Sequence, residues 1–414
     1  MTCWVHDAEG SGYGPEHLPY GVVTHAGGHP ELAVRVGDHA LSLARLHDAG
    51  LLDDVVPHAL RVFGTGSLDG LLARGPEQWD AVRARLLDLV LDEDSQHLAS
   101  KALLPLDEVT VRLPWSVADF VDFYASEHHA SNVARFVGAD DASLPPAWKH
   151  QPLGYHGRAG SVVVSGADVR RPVGPSRPSS GSEVPRFGPT RHLDVEAEVA
   201  FVVGAPSAPG VAVPASAFAE HVFGVVLLGD WSARDLQGFE SAPLGPFIGK
   251  SFATTVGAWV TPVAALAEAR VAPPRQSPTP AAYLSDPDPW SLDLVLSFAL
   301  ERGGAEAVLS QPPFATTYWT PGQLLAHLTV NGAHVRTGDL FASGTVSGPE
   351  RGQRGCLLEL TEGGREGFDV DGLGAVRFLD DGDVVRITAT ARGLGGSVLR
   401  LADVTGRVTP ARDL

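Results

Sequence analysis

Apolar positions along this chain recur with two different periods. Near the start one helix is legible. Gly75-Pro76 places a proline at a first helical position, and Trp79, Val82, Leu86, Leu89 and Val90 follow at helical spacing. From about residue 116 the texture becomes strand-like. Apolar and polar residues alternate from Leu193 to Phe201, and again at Cys356 to Leu360 and Asp383 to Thr388. The last of these follows an Asp381-Gly382 turn signal. Strands do not alternate regularly with helices and no repeat is visible, so a doubly wound sheet is not expected. The pattern predicts an α+β, mostly β protein with a small mixed domain over residues 1–115 and a β-rich domain over 116–414. Two Pro/Ser-rich stretches, Pro172 to Pro189 and Pro273 to Pro289, lie between strand signals and read as loops.

The 414 residues are comfortable for two domains, and the abundance of Gly (47) and Pro (32) favours short strands joined by tight turns. The net charge of −18 disfavours nucleic acid and anionic membrane as partners. It also means that an anionic substrate needs local positive charge, from Arg, Lys or a metal. Only Cys3 and Cys356 are present, which excludes a disulfide framework and cysteine-based zinc sites and fits a reduced, cytoplasmic setting. The N-terminal residues lack the basic and apolar regions of a signal peptide. The most apolar stretch, Gly210 to Gly229, is interrupted by Pro214, Glu220 and His221, so no membrane span is expected.

Several familiar motifs nearly occur. Gly245 to Ser251 resembles a phosphate-binding loop but has three residues between its glycines where four are needed, and Gly64 to Gly70 is one residue too long for a dinucleotide fingerprint. There is no Gly-x-Ser-x-Gly elbow and no His-Glu-x-x-His.

Four constellations remain. On a strand, Asp194, Glu196 and Glu198 share one face opposite Val195, Ala197, Val199 and Phe201. Carboxylates this close repel unless something positive lies between them, and a hard cation such as Ca²⁺ or Mg²⁺ takes oxygen ligands. The same pattern equally describes a solvated edge strand. Second, Ser126 is a plausible N-cap for a helix carrying Ala130, Val133, Ala134 and Val137. This puts His129 in the first turn as a candidate general base and Asp122 just ahead as a candidate ligand; a surface His128-His129 pair is the plain alternative. Third, the apolar run Val222 to Leu228 leads to Asp230 at a strand end, followed by Arg234, Gln237 and Lys250 as donors for an oxyanion. A turn with surface charges would look similar. Fourth, glycine-dense segments surround Asn331-Gly332 and Ser343 to Glu350, and Glu359 follows in an expected strand, facing away from Leu358 and Leu360.

Taken in order, Leu18 to Val22, Asp122-Phe123-Tyr124, Gly154 to Arg158, the Glu196/Glu198 strand, Asp230 to Asp235, Pro243 to Lys250, Tyr318-Trp319, Gly344 to Glu350 and Glu359 resemble the fumarylacetoacetase family over most of the chain. The resemblance implies an N-terminal SH3-like barrel, a C-terminal mixed β-sandwich roll and a homodimer. It implies metal positions at Asp122, Glu196, Glu198 and Asp230, with Lys250 and Thr254 near a second, Mg²⁺ position. It implies a general base at His129 oriented by Glu359, carbonyl-polarising groups at Arg234, Gln237 and Lys250, and substrate contacts at Tyr124, Tyr155, Gln237 and Thr345. The activity implied is cytoplasmic, metal-dependent hydrolysis of a carbon–carbon bond in a 1,3-dicarbonyl acid, fumarylacetoacetate to fumarate and acetoacetate in tyrosine catabolism.

Three positions depart from the family pattern. Gly138 stands where the family has arginine, Ser241 where it has tyrosine and Gly229 where it usually has asparagine. Metal and base positions are intact while two substrate contacts are missing, so retained catalysis with altered substrate choice is expected, with Arg135 a possible substitute for the arginine. The alternatives are a hydrolase of a different acylpyruvate or 1,3-diketone, and a non-catalytic Ca²⁺-binding β module.

Overall fold

The computed structural model describes residues 3–56, 60–137 and 143–413. The expected helix is α1, Pro76–Leu91, and it buries the five residues whose spacing predicts it. The elements that build the site are β1 (Phe120–Phe123), α2 (Glu127–Val137), β2 (Leu193–Val203), β3 (Val222–Ala233), α3 (Arg234–Glu240), β4 (Thr254–Val256), β5 (Leu340–Ala342) and α4 (Leu357–Leu360).

One sheet runs through the molecule. Its central pair is β2 and β3, antiparallel over nearly their whole length. On one side β2 pairs with β5, which pairs in parallel with β1, and Gly154–His156 closes that edge. On the other side β3 pairs with β4 and with Trp259–Pro262, which carries the sheet into the N-terminal strands through Tyr20 and Gly21. A second, five-stranded sheet, in order Ala305–Ser310, Val295–Arg302, Val384–Arg392, Val398–Thr409 and Val169–Arg170, packs against it.

This stacking explains why β2 is buried along its entire length. Val195, Ala197, Val199 and Phe201 point into the core shared with Phe298, Ile387 and Val404. On the opposite face Ala200 and Val202 join the core that also holds Trp79 and Leu86 of α1. Only Asp194, Glu196 and Glu198 remain to meet something polar. The solvated edge strand is therefore excluded, because β2 has a partner on each side.

Three expectations need correction. The N-terminal strands form an open ladder among the described residues, in order Val109–Arg112, Tyr20–His25, Pro30–Val36, His39–Ser42 and Leu103–Pro105, with no pairing that closes it into a barrel. Helices are the regular elements of the described chain between its third and fourth strands in sequence, and Tyr20 and Gly21 use part of their edge to join the main sheet. Second, Pro172 to Pro189 is not simply a loop, since Val173–Ser176 and Arg186–Pro189 pair as a hairpin. Third, Cys356 to Leu360 is not a strand. Cys356 makes one bridge to Glu196, and Leu357–Leu360 then turns into the short helix α4. The Asp194 carboxylate accepts the N–H groups of Leu357 and Leu358 at 2.8 and 2.9 Å, a cap supplied by another strand that local alternation cannot reveal.

Candidate active site

The register of the sheet assembles the carboxylates. Glu196 on β2 lies directly opposite Asp230 on β3, and Thr254 on β4 is the next partner across. Like charges directly opposed across strands are destabilising. Lys250 resolves this, because its Nζ donates to Glu196 Oε2 at 2.6 Å and also to Asp230 Oδ2. Asp122, near the end of β1, enters from the far side of β2. One oxygen from each of Asp122, Glu196, Glu198 and Asp230 lies within 4.8 Å of the others.

The positive charge in place does not balance this group. Five buried carboxylates, counting Asp194, face two buried cations, Lys250 and Arg234. Both Glu198 oxygens, Asp122 Oδ1 and Asp230 Oδ1 are buried without a hydrogen-bond partner. Burial, reinforced by the neighbouring carboxylates, pushes the Asp122 and Glu198 carboxyls well above the usual range. Burial also raises Asp230, against the pull of Lys250. Glu196 is held low, because Lys250 and Arg234 outweigh its desolvation. An all-oxygen set with orphaned lone pairs and excess negative charge fits a hard divalent cation.

Beside it lies an acid–base pair. Ser126 caps α2 as expected, accepting the His129 N–H at 3.2 Å, and its own hydroxyl donates to the Ser347 carbonyl at 3.1 Å. His129 is thereby buried, with Nδ1 2.7 Å from Glu359 Oε2. Glu359 also accepts from Ser347 Oγ at 2.7 Å and Asn132 Nδ2 at 2.8 Å. Burial alone would raise the Glu359 carboxyl, but attraction to His129 and these hydrogen bonds hold it below the ordinary value. The nearby Cys356 thiol, 3.4 Å from Glu359 Oε2, is pushed well up by burial and stays protonated.

The donors complete the arrangement. Arg234 opens α3, with Nε 2.9 Å from Asp194 Oδ2 and Nη1 2.7 Å from Glu196 Oε1. Its Nη1 also donates to Gln237 Oε1 at 3.2 Å, which leaves the Gln237 amide nitrogen free to donate. Tyr155 Oη donates to Asp230 Oδ2 at 2.8 Å, and the Tyr124 ring stands edge-on to His129 at 5.3 Å. Thr345 Oγ1 is buried without a partner. Gly344, with φ +75° and a would-be Cβ 2.1 Å from the Phe123 carbonyl, brings the Thr345 segment this close to β1.

A cavity of about 560 Å³ is lined by Asp122, Tyr124, His129, Tyr155, Glu196, Arg234, Gln237, Lys250 and Thr345 together. Glu198, Asp230 and Glu359 stand behind this wall, and Thr254 lines a neighbouring cavity of about 290 Å³ that shares Tyr155 and Lys250. The structure thus gathers the predicted metal, base, donor and substrate-contact positions around these two adjoining cavities. Ser241 lines the wider cavity. Arg135 is exposed, with its guanidinium 6.0 Å from the Phe136 ring, and does not line it. Gly138 lies outside the described residues. Four participants are not among the predicted site residues, namely Asp194, Asn132, Ser347 and Cys356. Of these only Asp194 carried a signal, its place on the acidic face of β2.

Two family models match the chain: Fumarylacetoacetase N-terminal over residues 16–114, and Fumarylacetoacetate (FAA) hydrolase C-terminal over residues 119–401. The chain is 41% identical over 421 residues to fumarylacetoacetase of Caenorhabditis elegans, covering 99% of this chain and 100% of that protein. It is 40% identical over 413 residues to fumarylacetoacetase of Homo sapiens, covering 98% of each. Among solved structures, a fumarylacetoacetate hydrolase from the psychrophile Exiguobacterium antarcticum shares the fold, with a TM-score of 0.54 and 16% identity over 95% of this chain and 100% of that one. Both family models and these full-length relatives agree, and the chain belongs to the fumarylacetoacetase family.

Proposed function

We propose that this protein hydrolyses a carbon–carbon bond in a 1,3-dicarbonyl acid, converting fumarylacetoacetate to fumarate and acetoacetate as in tyrosine catabolism. The observation that carries this reading is the buried His129–Glu359 pair opening on the same cavity as the carboxylate cluster and Arg234. Full-length relatives named fumarylacetoacetase, at about 40% identity, support it. Decarboxylation or isomerisation at such a cluster gives no task to the His129–Glu359 pair, and a cation-binding module gives none to Arg234 or Gln237.

Asp122, Glu196, Glu198 and Asp230 would hold the divalent cation, with Lys250 and Thr254 close by. When bound, the cation supplies positive charge to a chelated dicarbonyl and to the enolate that departs from it. His129 takes a proton from water through Nε2 while Nδ1–H donates to Glu359, which stabilises the imidazolium. The hydroxide adds to one carbonyl carbon, and Arg234, Gln237 and Lys250 donate to the resulting oxyanion. The carbon–carbon bond breaks to give a carboxylate and an enolate, and the proton held by His129 returns to carbon. Tyr124, Tyr155 and Thr345 orient the substrate. The division at residue 115, a C-terminal mixed β-sandwich roll, Ca²⁺ or Mg²⁺ as the ion, a homodimer and a cytoplasmic setting complete the proposal.

A second reading, hydrolysis of a different acylpyruvate or 1,3-diketone, is favoured by Ser241 in the cavity wall where the family pattern has tyrosine. Turnover of fumarylacetoacetate in H₂¹⁸O tests the first. Hydrolysis places one ¹⁸O in the fumarate carboxylate and none on acetoacetate carbon. An intact substrate mass, or loss of CO₂ in place of two acids, refutes it.

A further inference from the structure

The segment that nearly forms a phosphate-binding loop does gather backbone N–H groups around an anion, and the chain itself supplies that anion. Glu240, the last residue of α3, accepts the N–H of Phe247 and of Gly249 through Oε1, each at 2.8 Å, and that of Ile248 through Oε2 at 3.1 Å. Three successive amides converging on one half-buried carboxylate form an anion nest. We infer that Glu240 is a positioning residue, which latches the loop from Ser241 to Gly249 onto α3 and so fixes Lys250, held by Glu196 and Asp230, in the cavity wall it shares with Arg234 and Gln237.

The argument is geometric. Arg234, Gln237 and Glu240 succeed one another at three-residue spacing along α3, and Lys250 directly follows the residues that Glu240 holds. Gly249 packs on Gln237 so closely that a Cβ there would lie 2.6 Å from the Gln237 nitrogen. Its carbonyl accepts the Ala233 N–H at 2.8 Å, at the junction of β3 and α3. The loop is thus fastened at its far end by Glu240 and Gly249. Between its fastenings Leu244 is 96% exposed, and Ser241, Ala242, Leu244, Gly245 and Pro246 line the reaction cavity. Little apolar burial holds this stretch down, so beyond the Ser241 hydrogen bonds to the Gln237 carbonyl at its start the three charge-assisted hydrogen bonds tie it to α3. Releasing them loosens the cavity wall and leaves the backbone that aims Lys250 at Glu196 and Asp230 held to the β3–α3 junction by the Gly249–Ala233 bond.

This inference rests on the hydrolase reading for its effect on rate, though not for its effect on the loop. The test compares wild type, Glu240→Ala and Glu240→Gln in the full chain. Amide hydrogen exchange at Phe247, Ile248 and Gly249 should accelerate in Glu240→Ala by about 10–100-fold, the worth of charged hydrogen bonds, with α1 and the second sheet unchanged. The kcat on fumarylacetoacetate should fall by about 100-fold, as for a misplaced catalytic group, while KM moves less. Formate added to Glu240→Ala should refill the nest and restore rate saturably, with no gain in wild type. Glu240→Gln, which keeps one acceptor, should lie between. Unchanged exchange at the three amides overturns the latch. Faster exchange with kcat within twofold of wild type, or a lost kcat that formate does not restore, overturns the positioning role. A wild type that hydrolyses nothing while exchange still responds to Glu240→Ala refutes the hydrolase reading and leaves the latch standing.

Discussion

His129 Nδ1 lies 2.7 Å from Glu359 Oε2, and both side chains are buried. A carboxylate can only accept, so Nδ1 carries the hydrogen and the Nε2 lone pair is left for a proton from water. Glu359 is itself fixed by Ser347 and Asn132, so the ring has one orientation. His129→Ala should lower kcat by roughly 10²–10⁴-fold in a protein that still folds, with a lower melting temperature because the buried Glu359 loses its partner. Glu359→Gln should also lose most of the rate, because an amide nitrogen facing Nδ1 favours the wrong tautomer. Steady-state kinetics beside thermal unfolding check both.

Cation removal should be felt in stability as well as in rate. Asp122, Glu198 and Asp230 leave buried oxygens unpartnered. Mg²⁺ or Ca²⁺ at 100 times its Kd should stabilise the fold by about 2.7 kcal/mol, and chelation should reverse this. In chelator, Asp122→Asn should be no less stable than wild type, since the neutral amide avoids the burial and repulsion that disfavour a carboxylate there. Its melting temperature should no longer respond to added cation. Differential scanning calorimetry with and without chelator reads both effects.

Arg234 spans Asp194 and Glu196 while contacting Gln237. A lysine cannot reproduce this planar fork. Arg234→Lys should lower kcat by about 10²–10³-fold, comparable to losing an oxyanion donor. Circular dichroism and kinetics on the same preparation separate this from unfolding.

His17 ties the N-terminal segment to the main sheet. Its Nδ1–H donates to the Gly12 carbonyl and its Nε2 accepts from the Thr261 hydroxyl, each at 2.9 Å. Burial lowers its pKa from 6.5 to about 4. The folded state therefore favours the neutral ring, and this contribution is complete above pH 6.5. As pH falls from 6.5 toward 4 the unfolded chain binds a proton that the folded chain refuses, costing about 3 kcal/mol. Urea unfolding of His17→Gln should lose about that much less stability than wild type across this window.

The substitution at Ser241 predicts altered selectivity. Ser241 lines the cavity, and its hydroxyl donates to the Gln237 carbonyl at 2.6 Å. Ser241→Tyr should fill space and offer a phenol, lowering KM for fumarylacetoacetate by about fivefold, the worth of one hydrogen bond. Unbranched acylpyruvates without a second carboxylate should gain less. Parallel kinetics on the two substrate types decide it.

Much of the site was legible because its residues sit on regular elements. The two-residue period of β2 places Glu196 and Glu198 on one face, and the Ser126 cap places His129 in a first turn, both local signals. What was hidden depends on distant chain. Glu359 sits on a helix because Asp194, on another strand, caps Leu357 and Leu358. Burial of β2 on both faces follows from a second sheet and from α1, which no window around Glu196 contains. The N-terminal ladder stays open partly because Tyr20 and Gly21 are drawn to Val260 and Trp259, a pairing between segments far apart in sequence.

Loss of the enol ultraviolet absorbance of fumarylacetoacetate tests the central claim most directly. It should be followed with Mg²⁺ or Ca²⁺, after chelation, and with His129→Ala. The account predicts cation-dependent loss in wild type, abolished by chelation and reduced at least a hundredfold in His129→Ala. Loss at an undiminished rate in His129→Ala, or no loss in wild type shown to bind the cation, would contradict it.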